Sequence, residues 1–92
     1  MEKKAFIVTE YLAYRAKLRQ FDLAIIENIV RYAAGRYFDT ETGRRIVIGE
    51  HNQQLVMVAY EENDTEITPV TIHATSRQQI KFRINTGRFI YE

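Results

Sequence analysis

The sequence predicts an α+β domain: two amino-terminal helices packed on a twisted antiparallel meander, then a short helix and a closing strand. Three observations carry that prediction. Apolar residues recur at helical spacing up to Gly35, then switch to a period of two. Turn chemistry punctuates the second half at "DTETG", "HNQ" and "ENDTE". Finally, "ATSRQQIKFRINTGR" combines a capping box, a helical apolar pair and a glycine stop. The 92 residues allow one domain, 1–92, with a small core.

Each element follows in order. "AFIV", Ala5 to Val8, is a short β-prone lead-in. Thr9 is an N-cap for a helix through about Arg19, with Leu12, Ala13 and Ala16 on one apolar face. "RQFD" breaks the helix and Asp22 caps a second, whose stripe is Leu23, Ile26, Val30 and Ala33, broadened by Ile25 and Ile29. Gly35 is placed as its C′ residue. "RYF" is short and β-prone, and Gly43 can take positive φ in the turn that follows. "RRIVIGE" is a strand. "LVMVAYE" is nearly continuous in apolar residues, which predicts a central strand. "ITPVTIH" is a third long strand, with Pro69 marking an edge or a bulge. Thr75-Ser76-Arg77-Gln78 is placed as the capping box, with Ile80 and Ile84 docking that helix on the sheet and Gly87 ending it. "RFIY" is the closing strand.

Composition excludes several classes. The chain has no cysteine, so it has no disulfide framework or thiolate metal site, and a cytoplasmic location is expected. No apolar run approaches the roughly 20 residues that span a bilayer, and the amino terminus is too short in apolar residues for a signal peptide. His51 and His73 lie in different elements without metal-ligand spacing, so no metal is expected. The glycines are scattered singly, which removes the phosphate-loop and dinucleotide patterns, and no cofactor is expected. Serine does not occur in a nucleophile elbow.

Charge is the informative property. The formal net charge is only +1, but it divides into +2 over 1–22, −4 over 23–69 and +3 over 70–92. If the two basic ends meet, they form an anion-attracting patch without a high overall pI. The candidates within it are His73, at a strand end, and Arg77, in the first turn of the last helix. Lys81 lies about 40° from Arg77 on the same helix edge, and Arg83 on a different face. Arg44 and Arg45 are adjacent on a strand, so they point to opposite faces. Metal-free RNA cleavage requires a base, an acid and cations around the phosphorane, and His, Arg, Lys and Tyr can supply them. A strand-end histidine satisfying a backbone group and a solvated basic helix face are the plain alternatives. Phe82 and Phe89 are placed in the core and rim, and Tyr60 and Tyr91 are β-prone residues with a polar tip.

Four segments, "TEYLAYRAKLRQFDLAIIENIV", "RYFDTETGRRIVIG", "LVMVAYEE" and "VTIHATSRQQIKFRINTGRF", resemble a family of small prokaryotic domains of unknown function. Its members open with T-x-H-A-x-x-R-x-x-x-R-G, and the family looks like a distant relative of the BrnT and RelE/ParE toxin-like fold. Thr9, Arg15 and Arg19 match that opening. Tyr11 stands where the family has histidine and Gln20 where it has glycine. The resemblance implies a RelE-like arrangement and a toxin-like, RNA-interacting protein, with metal-independent endoribonuclease activity as the enzymatic version. His73 and Arg77 would then be the catalytic candidates, and Arg45, Lys81, Arg83 and Arg88 would bind RNA. An antitoxin protein would be the implied partner. The alternatives are a non-catalytic binding module of the same fold, with a protein or nucleic-acid partner, and a homodimeric accessory protein. Such a homodimer would pair through the Pro69 strand or the apolar face of the first helix.

Overall fold

The computed structural model describes residues 3–92; Met1 and Glu2, the latter counted in the amino-terminal charge, lie outside them. The elements run β1 (Ala5–Phe6), α1 (Glu10–Arg19), α2 (Leu23–Tyr32), β2 (Gly35–Asp39), β3 (Arg44–His51), β4 (Gln54–Glu62), β5 (Glu66–Ala74), α3 (Arg77–Asn85) and β6 (Phe89–Tyr91). Six strands form one sheet in the order β1-β5-β4-β3-β2-β6. The expected α+β class is what the structure has. The sheet is mixed, however, because β1 pairs parallel to β5. Between β1 and β5 the chain passes through α1, α2 and the three antiparallel strands β2, β3 and β4, so β5 enters the sheet from the same end as β1, which a parallel pairing requires.

α1 and α2 cover one face. Leu12, Ile26 and Val30 pack there on Val47, Val56, Val58 and Ile72. α3 covers the other face, where Ile84 packs against a smaller cluster of Ile46, Ala59 and Phe89. The caps explain the helix ends. Thr9 accepts from the Leu12 N–H and Asp22 from the Ala24 N–H, as their side chains suggest. Gly35 is not the stop of α2, since it is the first residue of β2. Arg36 replaces it: its guanidinium donates to the carbonyls of Val30 (2.6 Å) and Ala33 (3.1 Å) and to the Tyr60 hydroxyl (3.1 Å). Helix-end carbonyls need partners, and here a side chain one strand residue away supplies them.

β4 is central, and the β3–β4 hairpin closes through Asn52 and Gln53, both at positive φ, the pattern of a two-residue type I′ turn. Pro69 marks a bulge: Ala59 pairs with Thr71 and Tyr60 with Pro69, leaving Val70 as the extra residue. Gly49 lies where α2 crosses β3, and a Cβ there would meet Ile29 at 2.6 Å. Phe89 is buried as expected, but Phe82 is 67% exposed and Tyr91 is 72% exposed. No helix of the described residues is long and apolar enough to cross a membrane.

Candidate nucleic-acid interface

The two basic ends of the chain meet. β5 is flanked by β1 only at Glu66 and Ile67, so its later residues are open along the outer side. α1 packs there, and Arg15 reaches the strand. Its Nε donates to the Ile72 carbonyl (3.2 Å) and an NH2 group lies 2.9 Å from His73 Nδ1. A guanidinium has no lone pair to offer, so Nδ1 is the acceptor and the neutral ring carries its proton on Nε2.

His73 lines a cavity of about 450 Å3 on the α3 face of the sheet, together with Arg44, Thr71, Gln79, Arg83 and Arg88. His73 is exposed at the cavity mouth, but partial desolvation still favours the neutral ring, and the charges of Arg15, Arg19 and Arg83 add to that, so its pKa lies below the ordinary 6.5. The imidazole is therefore a neutral donor among cations. Proton abstraction would need a free lone pair, and the lone pair of this tautomer is held by Arg15.

The cations around it differ in how they are held. Arg83 donates to the Met57 sulfur (3.0 Å) and its guanidinium sits 5.4 Å from the Phe89 ring centroid. These contacts orient it without neutralising it. Arg44 faces Glu61 across 3.4 Å. Arg88 is different, for its guanidinium binds both carboxylate oxygens of buried Asp39 at 3.1 Å each. Burial alone would raise the Asp39 carboxyl, but hydrogen bonds from Arg88 and the N–H groups of Glu41 and Thr42, with the Arg88 charge, hold it below the ordinary 3.8. Arg88 thus ties β6 to the β2–β3 turn and has its fork occupied.

The remaining sequence candidates fall elsewhere. Arg77 and Lys81 share an edge of α3, as their spacing predicts, but they line a separate depression with Glu50, Leu55 and Ile80. Arg77 therefore does not join His73 in one cavity. Arg45 lies on the α1/α2 face of the sheet, paired with Glu62 at 2.6 Å and near Glu92 at 3.8 Å. The opposite facing of Arg44 and Arg45 follows from strand geometry. His51 is buried and accepts the Asp22 N–H on Nε2 (2.8 Å), with Phe21 against its ring edge, so it fixes the α1–α2 junction. The capping box is displaced by one residue. Ser76, not Thr75, accepts the Gln79 N–H, and the Thr75 hydroxyl donates to the Gln79 side-chain oxygen.

Sequence reasoning about the His73 site missed Arg15. Its partner is 58 residues away in the chain, and the only available signal was the matching basic charge of the two ends. Among the described residues, no carboxylate lies within ion-pairing distance of Arg15, Arg19, Arg77, Lys81 or Arg83. The acids that form ion pairs, Glu27, Asp39, Glu41, Glu61, Glu62 and Glu92, instead engage Lys4, Arg31, Arg44, Arg45 and Arg88. Comparison with known protein families, curated proteins and solved structures returns no match.

Proposed function

We propose that this chain is an RNA-binding module with a RelE-like, toxin-type arrangement of helices on a sheet, acting in the cytoplasm through the cavity beneath α3. One observation carries the reading. Arg15 from α1, His73 from β5 and Arg83 from α3 converge with no carboxylate among the described residues to neutralise either arginine. Cations held in place and left without counter-charge attract phosphate, and a neutral His73 Nε2–H adds a directional donor. The tautomer supports binding over cleavage, since Arg15 holds the nitrogen a general base would use. Arg83 and His73 are the phosphate-facing residues of this reading, with Arg15 positioning the ring. Arg77 and Lys81 extend the basic surface on the far edge of α3. Arg88, with its fork engaged by Asp39, contributes charge at the margin, while Arg45 lies on the opposite face paired with Glu62 and takes no part.

The test is binding of a labelled single-stranded RNA at a series of salt concentrations. Log affinity should fall linearly with log salt, and Arg83→Ala should make that slope shallower by about 0.7, the value for one phosphate on a single strand. Arg45→Ala, on the other face, should leave it unchanged. Salt-independent binding, or equal effects of the two substitutions, sinks the proposal. RNA recovered intact from the wild type fits a binding module. Cleavage that His73→Ala abolishes would favour the endoribonuclease instead. Growth arrest on induced expression tests whether the module is a toxin.

A further inference from the structure

The cavity that holds His73 does not end at Arg83. Along the same flank of α3 it adjoins a second, larger depression of about 820 Å3 that shares Gln79, Arg83 and Arg88. That volume lies within the roughly 300–1,000 Å3 of small-molecule sites. Phe82 stands on its wall with two thirds of its surface exposed, although α3 has an apolar cluster to pack on. Ile84, two residues on, takes that packing position. Two glutamines flank the ring, Gln78 one turn earlier on the Phe82 side and Gln79 one turn earlier on the Arg83 side. The Gln79 oxygen is engaged by Thr75, so its amide NH2 is the group available to a ligand. Gly87, at φ +79°, turns the chain at the far end, and Thr40 fastens that turn by donating to the Gly87 and Arg88 carbonyls.

Charge is distributed unevenly along this groove. At the His73 end Arg83 and, from the edge of the sheet, Arg15 have no acidic partner among the described residues, while Arg44 faces Glu61 and the cavity's own carboxylate, Asp39, is bound by Arg88. At the Phe82 end is Glu41, 3.5 Å from the Arg88 guanidinium, and Arg88 is already bound to Asp39. A phosphate belongs at the first end and is repelled by Glu41 at the second. An uncharged aromatic ring with hydrogen-bonding edges fits the second, with a π-face to stack on and amides beside it.

We infer that the Phe82 depression is a base subsite: an unpaired nucleobase stacks on Phe82 beside Gln78 and Gln79 while its phosphate rests on Arg83 and His73. This rests on the RNA-binding reading above and narrows it to single-stranded nucleic acid, because the bases of a duplex are stacked on one another and cannot reach the ring. The subsite reads no 2′-hydroxyl, so single-stranded RNA and DNA both occupy it.

Fluorescence anisotropy would compare four labelled probes of equal length: oligouridylate, oligodeoxythymidylate, an abasic deoxyribose-phosphate strand and a duplex RNA. The wild type should bind the first two more tightly than the last two. Phe82→Ala should weaken the base-bearing strands by about 5- to 150-fold, from the ~1–3 kcal/mol of one base–aromatic stack, and leave abasic binding unchanged. Phe82→Tyr should restore the loss. The ring is exposed, so an unchanged melting temperature of Phe82→Ala is expected and separates this effect from misfolding. Equal binding of abasic and base-bearing strands that Arg83→Ala still weakens would overturn the base subsite while leaving phosphate binding in place. Preference for the duplex would overturn it as well. Absence of Arg83-dependent binding to every probe would remove the underlying reading and the subsite together. Oligouridylate and oligodeoxythymidylate binding alike supports the subsite; a requirement for ribose would overturn its indifference to the sugar.

Discussion

The face of the sheet under α1 and α2 and the face under α3 are built from the same strands, yet they are finished differently. On the first, Leu12, Ile26 and Val30 are buried against three strands, and Lys4 and Arg45 both bind Glu62. Hydrogen bonds from Lys4, opposed by burial and aided by the Lys4 and Arg45 contacts, hold the Glu62 carboxyl below its ordinary value. On the second, α3 has no buried residue, its apolar anchor Ile84 is partly exposed, and its cations carry no acidic partner among the described residues. Apolar burial is the main source of stability, so the α1/α2 face holds the fold together. α3 itself has no buried residue and no paired cation among the described residues, which leaves Arg77, Lys81 and Arg83 available to a ligand. A chain with a net charge of +1 can present a basic site because, among the described residues, its acids pair with Lys4, Arg31, Arg44, Arg45 and Arg88, and not with Arg15, Arg77, Lys81 or Arg83.

The largest effect should come from the core of the first face. Leu12→Ala removes a fully buried side chain and should cost about 2–5 kcal/mol in urea unfolding. Ile84→Ala, on the second face, should cost roughly half of that or less, because its side chain leaves less apolar surface to lose. Equal costs would break the division between a stabilising face and a ligand face.

A smaller but sharper test lies at the one place where the second face is firmly tied. Asp39 is buried against Arg88 and accepts two backbone N–H groups. Asp39→Ala leaves the guanidinium and those donors without their partner. The expected cost is about 3 kcal/mol, at the lower end for broken buried pairs because Arg88 keeps access to water. The pH dependence has a definite sign. The folded pKa lies below the unfolded one, so the stabilisation is fully present above pH 3.8 and is lost as the pH falls through the folded value. The wild type should lose stability across that acid range, and Asp39→Asn should lose less. An unchanged acid limb in Asp39→Asn would assign the loss to other carboxylates.

Much of the first face was legible in the sequence, and little of the second. Thr9, Asp22, Gly43 and Gly87 act locally, through a cap or a positive φ, and local rules find them. Periodicity placed Ile26 and Val30 correctly, because an apolar stripe on a helix has one sensible destination. The Arg15–His73 contact spans 58 residues and leaves no local trace. Phe82 was misplaced for a related reason. An aromatic residue between Ile80 and Ile84 is assigned to the core by hydrophobicity alone, and only the docking angle of α3 shows that it faces solvent. Arg88 reads as one more free cation until Asp39 is brought beside it. Gly35 was assigned a local role that Arg36, acting through its side chain, performs instead.

The smallest effect tests the α1 end that presents Arg15 and Arg19. Gln20 caps α1 at φ 59° and ψ 38°, the left-handed region, and its N–H reaches the Ala16 and Lys17 carbonyls. That conformation is easy for glycine and costs an L-residue with a Cβ about 1–2 kcal/mol. Glycine also has more freedom to lose on folding, which offsets part of the gain. Gln20→Gly should therefore stabilise the protein by about 0.5–1 kcal/mol, read as a rise in the urea midpoint at unchanged slope. The sequence resemblance expects glycine at this position, and the left-handed backbone there is one that glycine adopts readily. Destabilisation by Gln20→Gly would mean that the glutamine side chain holds the end of α1, and that the geometry of Arg15 depends on it. If stability rises and RNA binding is unchanged, the α1 terminus is a rigid support whose residue type is free, and the site depends only on where that support places Arg15.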